Sequence, residues 1–560
     1  MGFGEHLVHW FASIIIKVKF VSVFFVCAKN KFGCETYFLE LPKRKYYLIE
    51  MPEESEVRAF YSGKNFFITG GTGFVGLCLI EKILRTIPDV GKLYLLMRPK
   101  KGKEIVERLD EFPKHPVFEK LIELKTIDIF HKLVPVAGDV GDDNLGLSSE
   151  DRQMLIDNVN VVVHSAATLD FQDNLRPTVK INLLGTRKIM ELCKEIKNLK
   201  VMIHVSSGYV NSYLLEAHEK VYEAPEDAEK VISLVGTLSD EALDEIEPKV
   251  LKSHPNTYTF TKHLAEHEVV KCSDLFPCTI VRPTMIVGSW KEPVPGWTCS
   301  KVGPQGFLMG AGKGVVRRLP LAKENINDYI PVDVVVNQLL VAGWHAAKNK
   351  SGLSVYHCSS STCRPFRWCT IENTVNTKLH TYPLKSAVWY PYLAFNSSLL
   401  SFRISAIFVH FFPGILLDMM LRLTGGKPIL FRLNRNVWNS LNRLEKFIFT
   451  EWLFHNPNTL DLAKQLNKTD RELFYIDISS LNWEDYFTNL QLGVRKYLNK
   501  EKDSTLPAAR KKQTTLYIVH LLWQAGIIVL LWFLVACLLG VSMMKTVWIV
   551  PGIYILYTCL

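Results

Sequence analysis

Tyr258 and Lys262 stand four positions apart in Tyr258-Thr259-Phe260-Thr261-Lys262. On a helix that spacing puts both side chains on one face. A phenol with its ordinary pKa of about 10 is a poor acid at neutral pH. A neighbouring ammonium favours phenolate and eases proton donation, so the pair reads as a proton source for a reacting oxygen. Upstream, a predicted strand over Val201–Val205 runs into Ser206-Ser207-Gly208-Tyr209, whose hydroxyls could hydrogen-bond a developing oxyanion.

A second chemistry sits earlier. Phe66–Thr69 is an apolar strand that runs into Gly70, Gly73 and Gly76, and a helical pattern opens at Leu77. That order suits a dinucleotide pyrophosphate: a tight turn at Gly70, close backbone approach at Gly73, close helix packing at Gly76, and a helix N-terminus facing the anion. The candidate cradle comprises Thr69, Gly70, Gly73, Phe74, Val75 and Gly76. The next strand, Lys92–Met97, ends in Arg98-Pro99-Lys100-Lys101-Gly102-Lys103. An NAD site usually carries an acid at this tip, whereas an arginine suits a 2′-phosphate. Arg98, with Lys101 or Lys103 assisting, therefore favours NADPH. Leu133–Ala137 reads as a strand ending at Asp139-Val140, where Asp139 could reach the adenine. Val159–His164 leads to Ser165-Ala166-Ala167, small enough for the nicotinamide half to lie close.

These motifs need a parallel sheet to hold them, and strands alternating with helices predict one. The fold class is α/β: a Rossmann-type doubly wound sheet, then a helical C-terminal domain and a C-terminal transmembrane helix. A chain of 560 residues with net charge +10 is only mildly basic and shows no nucleic-acid-binding pattern. Its 12 cysteines include no CxxC pair, and the spacing of Cys358, Cys363 and Cys369 argues against zinc, so no metal is expected.

Residues 64–340 resemble an extended short-chain dehydrogenase/reductase and, more narrowly, the chain resembles the alcohol-forming fatty acyl-CoA reductases. The resemblance rests on Phe67–Gly76, Leu95–Gly102, Asn256–Lys262, Val281-Arg282-Pro283-Thr284, Ile330-Pro331-Val332-Asp333 and the Trp483–Lys500 segment. It implies NADPH-dependent reduction of a long-chain fatty acyl-CoA to a primary alcohol through an aldehyde. It also implies that Tyr258, Lys262 and a seryl hydroxyl act on the carbonyl. The family generally has Ser-Thr where this chain has Ser206-Ser207; Ser207 takes the threonine position, and the choice between the two serines stays open. Asn182 matches a helix asparagine that in the superfamily helps position the lysine and a water. Ala166, Asp139 and Val140 complete the implied cofactor set. A membrane-bound sterol-type dehydrogenase and an idle cofactor-binding scaffold are the alternatives.

Residues 513–544 contain no Asp, Glu, Lys or Arg, long enough to cross a bilayer. Arg510, Lys511 and Lys512 precede them and favour a cytoplasmic N-terminal side. The expected divisions are an apolar extension over 1–50, interfacial or dispensable, and a reductase domain over 51–365. A helical domain follows over 366–505, then a transmembrane segment over 513–540 and an apolar tail over 546–560. Trp389–Leu400 and Ile404–Leu417 could form a shallow membrane hairpin, the wall of an acyl channel, or a buried helical core. Gly312-Lys313-Gly314 with Arg317 and Arg318 reads as a solvated basic loop. The family default is the endoplasmic reticulum with the catalytic domain facing the cytosol; the peroxisomal membrane is the alternative. Partners are acyl-CoA and membrane lipid; oligomeric state is not legible.

Overall fold

Seven short runs rich in Val, Ile and Leu build the central sheet: β1 Phe66–Thr69, β2 Leu93–Met97, β3 Leu133–Ala137, β4 Val161–His164, β5 Val201–Val205, β6 Cys278–Pro283 and β7 Leu353–Cys358. All are parallel, in the spatial order β7-β6-β5-β4-β1-β2-β3. β1, β2, β4, β5 and β6 are buried along their whole length, which requires apolar residues on both faces. The order reverses between β1 and β4, the switch point where such sheets open a crevice for ligand beyond the strands' C-terminal ends. The sequence reading found five of the strands. β6 it treated only as a matching motif, and β7, inside the span 51–365 assigned to the reductase domain, it did not find.

The computed structural model describes residues 54–559, except 126, 170–173, 350, 351, 424, 429 and 444, together with three strands among the first 53 residues. Those strands, Val26–Lys29, Glu35–Leu39 and Tyr47–Leu48, form an antiparallel sheet within a separate unit, Met1–Glu54. The apolar stretch Leu7–Ile16 expected there, and most of Phe20–Ala28, lie outside the described residues.

Helices flank the sheet. α1, Phe74–Thr86, follows the glycine turn; α2, Thr257–Val270, carries the Tyr–Lys pair; α3, Val332–Asn349, is buried along most of its length. α1 also buries charge. Lys82 bonds Glu292 at 2.6 Å, and Arg85 bridges Glu81 at 2.7 Å and Glu292 at 3.0 Å. Lys82 further donates to the Leu473 carbonyl, tying the first helix of the sheet to the C-terminal region.

Beyond residue 370 the chain is mainly helical, with exceptions. Residues 394–396 form a strand paired with Arg318–Pro320, so the Trp389–Leu400 stretch is not a helix. α4, Leu399–Leu423, is one continuous helix of 25 residues; α5, Leu430–Arg443, turns back after it; α6, Leu506–Leu538, has 33 residues. Both α4 and the helix ending at Leu538 are long and apolar enough to cross a membrane. Phe366, Trp368, Trp483 and Phe487 stack at 4.8–6.3 Å and join the C-terminal helices to the body.

Candidate active site

The glycine turn is sterically committed. Gly70 has φ +74°, and a Cβ there would stand 2.8 Å from the Ala166 nitrogen and 2.9 Å from the Ser165 carbonyl carbon. A Cβ at Gly76 would meet the Gly70 oxygen at 2.3 Å. Gly73 is the N-cap of α1 and brings no side chain to satisfy the first-turn N–H groups. Bare backbone, positive helix end and a cradle that any side chain would fill together fit a dinucleotide pyrophosphate. Thr69 braces this cradle: its hydroxyl accepts from the Ser165 and Ala166 N–H groups at 3.2 and 3.1 Å and lies 2.8 Å from His164 Nδ1. Phe74 stacks on Trp297 at 5.6 Å, Val75 packs against the core, and Val140 is buried beside Gly185. What those three positions can offer a nucleotide is backbone.

Arg98 leaves the tip of β2 exposed, its Nη1 2.6 Å from Asp139 Oδ2 at the tip of β3. Asp139 also accepts from the Gly141 N–H at 2.9 Å. Burial raises its pKa, but that N–H and Arg98 outweigh it and hold the carboxyl below its ordinary value. The carboxylate foreseen as an adenine contact is thus engaged with the arginine. Of the two assisting lysines, Lys103 is paired with Glu111.

On α2, Tyr258 and Lys262 are both almost fully buried. Lys262 Nζ donates to the Val205 carbonyl at 2.8 Å and lies 3.2 Å from His204 Nε2. Burial lowers the lysine's pKa to about 8, with Glu266 opposing. Burial pushes the Tyr258 phenol up to about 12, and its hydrogen bond with Ser207 works the other way. Burial and Ser207 are thus the two influences on the phenol's acidity. Alternation past the end of β5 sends the two serines to different partners. Ser206 Oγ donates to Glu266 Oε1 at 2.5 Å, inside a fully buried pair in which Arg282 grips the same carboxylate at 2.7 and 2.8 Å. Ser207 faces Tyr258.

Asn182 lies in a π-helical turn, Val179–Leu184, between Leu175–Thr178 and Gly185–Glu195. Such bulges recur at functional sites. Its Oδ1 accepts from the Thr168 N–H at 3.0 Å and its Nδ2 donates to Thr261 Oγ1 at 3.1 Å. It thus clamps the loop after β4 to α2 at the residue beside Lys262, without touching the lysine in these contacts.

His204 was missed. Its Nε2 lies 3.2 Å from Lys262 Nζ, and its Nδ1 is buried and has no hydrogen-bond partner. His164 and His204 lie 5.5 Å apart, ring to ring. Nothing local in Val201–Val205 signals this; only the packing of α2 on β5 makes the contact. Arg282 and Glu266 were equally hidden as a pair, since one lies on a strand and the other on a helix.

Residues 68–339 and 409–501 each match a family described as male sterility protein, the first through its NAD-binding part. A Drosophila melanogaster protein, whose name assigns it provisionally to the fatty acyl-CoA reductases, is 54% identical over 510 residues, 90% of this chain and 99% of that one. Fatty acyl-CoA reductase 1 of Rattus norvegicus is 35% identical over 486 residues, covering 87% of this chain and 93% of the relative. The chain belongs to the fatty acyl-CoA reductase family. The same coverage and identity hold for fatty acyl-CoA reductase 1 of Homo sapiens. Among solved structures, the terminal R domain from the myxalamid PKS-NRPS biosynthetic pathway superposes with TM-score 0.52 at 18% identity, over 79% of this chain and 92% of that domain. That likeness speaks for the fold alone: a parallel sheet with further elements beyond it.

Proposed function

We propose that the protein reduces a long-chain fatty acyl-CoA to the primary alcohol, using two NADPH and two protons and releasing free CoA, with the aldehyde as the intermediate product. The observation that carries the reading is the meeting of Ser207 and the neutral Tyr258 phenol past the end of β5, on the sheet whose β1 turn bears the glycine cradle. NADPH, when bound, supplies the hydride. Thr69, Gly70, Gly73 and Gly76 would receive its pyrophosphate, Ala166 its nicotinamide half, and Arg98 its 2′-phosphate. The Ser207 and Tyr258 hydroxyls stabilise the oxygen of the attacked carbonyl, and Tyr258 gives its proton to the final alkoxide. Lys262, held by Val205 and His204, keeps a positive charge beneath that proton donor. Asn182 fixes the turn of α2 on which Lys262 stands.

In this reading residues 51–365 form the reductase domain, residues 366–505 the helical domain that receives the acyl chain, and residues 513–540 anchor the enzyme. Arg510, Lys511 and Lys512 support a cytosolic catalytic domain at the endoplasmic reticulum, with the peroxisomal membrane as the alternative site. Membranes carrying the protein, incubated with palmitoyl-, stearoyl- and oleoyl-CoA and either NADPH or NADH, should yield fatty alcohol with NADPH. Y258F should yield none. A folded wild type that binds NADPH but forms neither alcohol nor aldehyde from these substrates defeats the proposal.

A further inference from the structure

α4 is built inside out. Its protein-facing side holds Ser405, His410, Pro413, Gly414 and Asp418, all buried. Its outward side holds Ile404, Phe408, Ile415 and Met419 at 40–54% exposure, with Leu423 at 86%. A helix against water shows the opposite polarity. The polar side is fully used: His410 Nε2 accepts from the Arg317 and Arg318 N–H groups at 3.0 and 3.2 Å, and Asp418 accepts from the Leu430 and Phe431 N–H groups at 3.0 and 2.9 Å. Arg317, expected on a solvated loop, is buried and donates to the Val409 carbonyl. The middle of α4 is thus fastened to the body of the enzyme, so the helix cannot cross a bilayer away from it.

Its neighbour fixes the depth. Phe412 packs on Trp523 of α6 at 5.8 Å. Trp523 lies ten residues past Gln513, where the uncharged run begins. At about 1.5 Å per residue that is about 15 Å, half of a hydrocarbon core of about 30 Å. Tyr390 meets Tyr517, only four residues past Gln513, at 5.1 Å, as an interfacial aromatic pair would. Residues 399–443 carry six basic side chains, Arg403, Arg422, Lys427, Arg432, Arg435 and Arg443, against one acid, the buried Asp418.

From this geometry we infer that α4 and α5 form a second membrane contact, a platform seated in the cytosolic leaflet beside α6, with its basic residues on anionic headgroups. The inference rests on α6 being the anchor. The full-length protein is reconstituted in vesicles of equal parts phosphatidylcholine and phosphatidylserine, carrying a benzophenone amino acid at Phe408, Ile415, Phe431, Leu522 or Leu275. Phospholipid adducts at Phe408, Ile415 and Leu522, with none at the exposed body residue Leu275, are expected. Adducts at Leu522 alone overturn the platform and leave the anchor standing; adducts at none overturn both. At Phe431 the adducts should favour phosphatidylserine, and R432E should lower that preference about fivefold. Equal capture of both lipids by the unaltered protein overturns the headgroup part.

Discussion

Replacing each of two adjacent serines by alanine separates structure from chemistry in this site. Ser206 is one of three donors on the buried Glu266 carboxylate, the other two coming from Arg282. Hydrogen bonds to charged groups contribute about 1.5–3 kcal/mol, and Glu266 keeps its arginine, so S206A should cost about 1.5 kcal/mol. For a chain of this size that is a fall of only about 1 °C in Tm. Its kcat should stay within a few-fold of wild type. Ser207 accepts from the Tyr209 N–H at 3.2 Å as a cap and bonds Tyr258. S207A should lose about 0.5–1 kcal/mol of stability with the cap. Loss of one oxyanion donor should lower kcat about 10²–10³-fold. S207T keeps the hydroxyl and should recover most of the rate. The assay is alcohol formation from palmitoyl-CoA in detergent-solubilised membranes, beside a fluorescence melting curve for each variant. A large kcat loss in S206A with S207A near wild type would refute the assignment and the argument from strand alternation behind it.

Lys262 has its pKa lowered to about 8 by burial, so a contribution that needs the ammonium is complete well below pH 8 and is lost as pH rises through it. The kcat/KM profile should show that alkaline limb, and K262R should move it upward; an unmoved limb assigns it to another group. R98A should raise the KM for NADPH about tenfold, the lower end of a charge-assisted contact because Arg98 is exposed and shared with Asp139, and leave NADH unchanged. Equal losses with both cofactors would remove Arg98 from the 2′-phosphate. G70A places a Cβ in left-handed backbone and against Ala166, at a cost of about 2–4 kcal/mol. NADPH binding, followed by cofactor fluorescence, should fall at least 30-fold.

The sequence made local motifs legible and left cross-chain contacts dark. Gly70, Gly73 and Gly76 could be placed because strand, turn and helix are contiguous, and the Tyr258–Lys262 spacing because it is helical. Ser206 and Ser207 could not be told apart, because the answer depends on which face of β5 meets α2. His204 was invisible for the same reason, and Arg317 read as solvated because its acceptor, Val409, lies 92 residues away. Asn182 was legible as a helix residue, but the π-helical turn that aims it at Thr168 and Thr261 has no periodic signature.

The contacts around Tyr258 bear on how the proposed reaction would hold its proton. Burial raises the phenol's pKa and its hydrogen bond with Ser207 works against that, while Lys262 Nζ donates to the Val205 carbonyl and lies 3.2 Å from His204 Nε2. In acyl reduction a proton must be ready for the alkoxide left by hydride addition, and a phenol held in its neutral form supplies it. The reverse reaction returns the proton through the same group, so the acidity of Tyr258 serves carbonyl reduction and alcohol oxidation alike. What separates an acyl-CoA reductase from a sterol-type dehydrogenase is therefore the substrate turned over, and parallel incubations with acyl-CoA and NADPH or with a sterol and NADP⁺ read that difference directly.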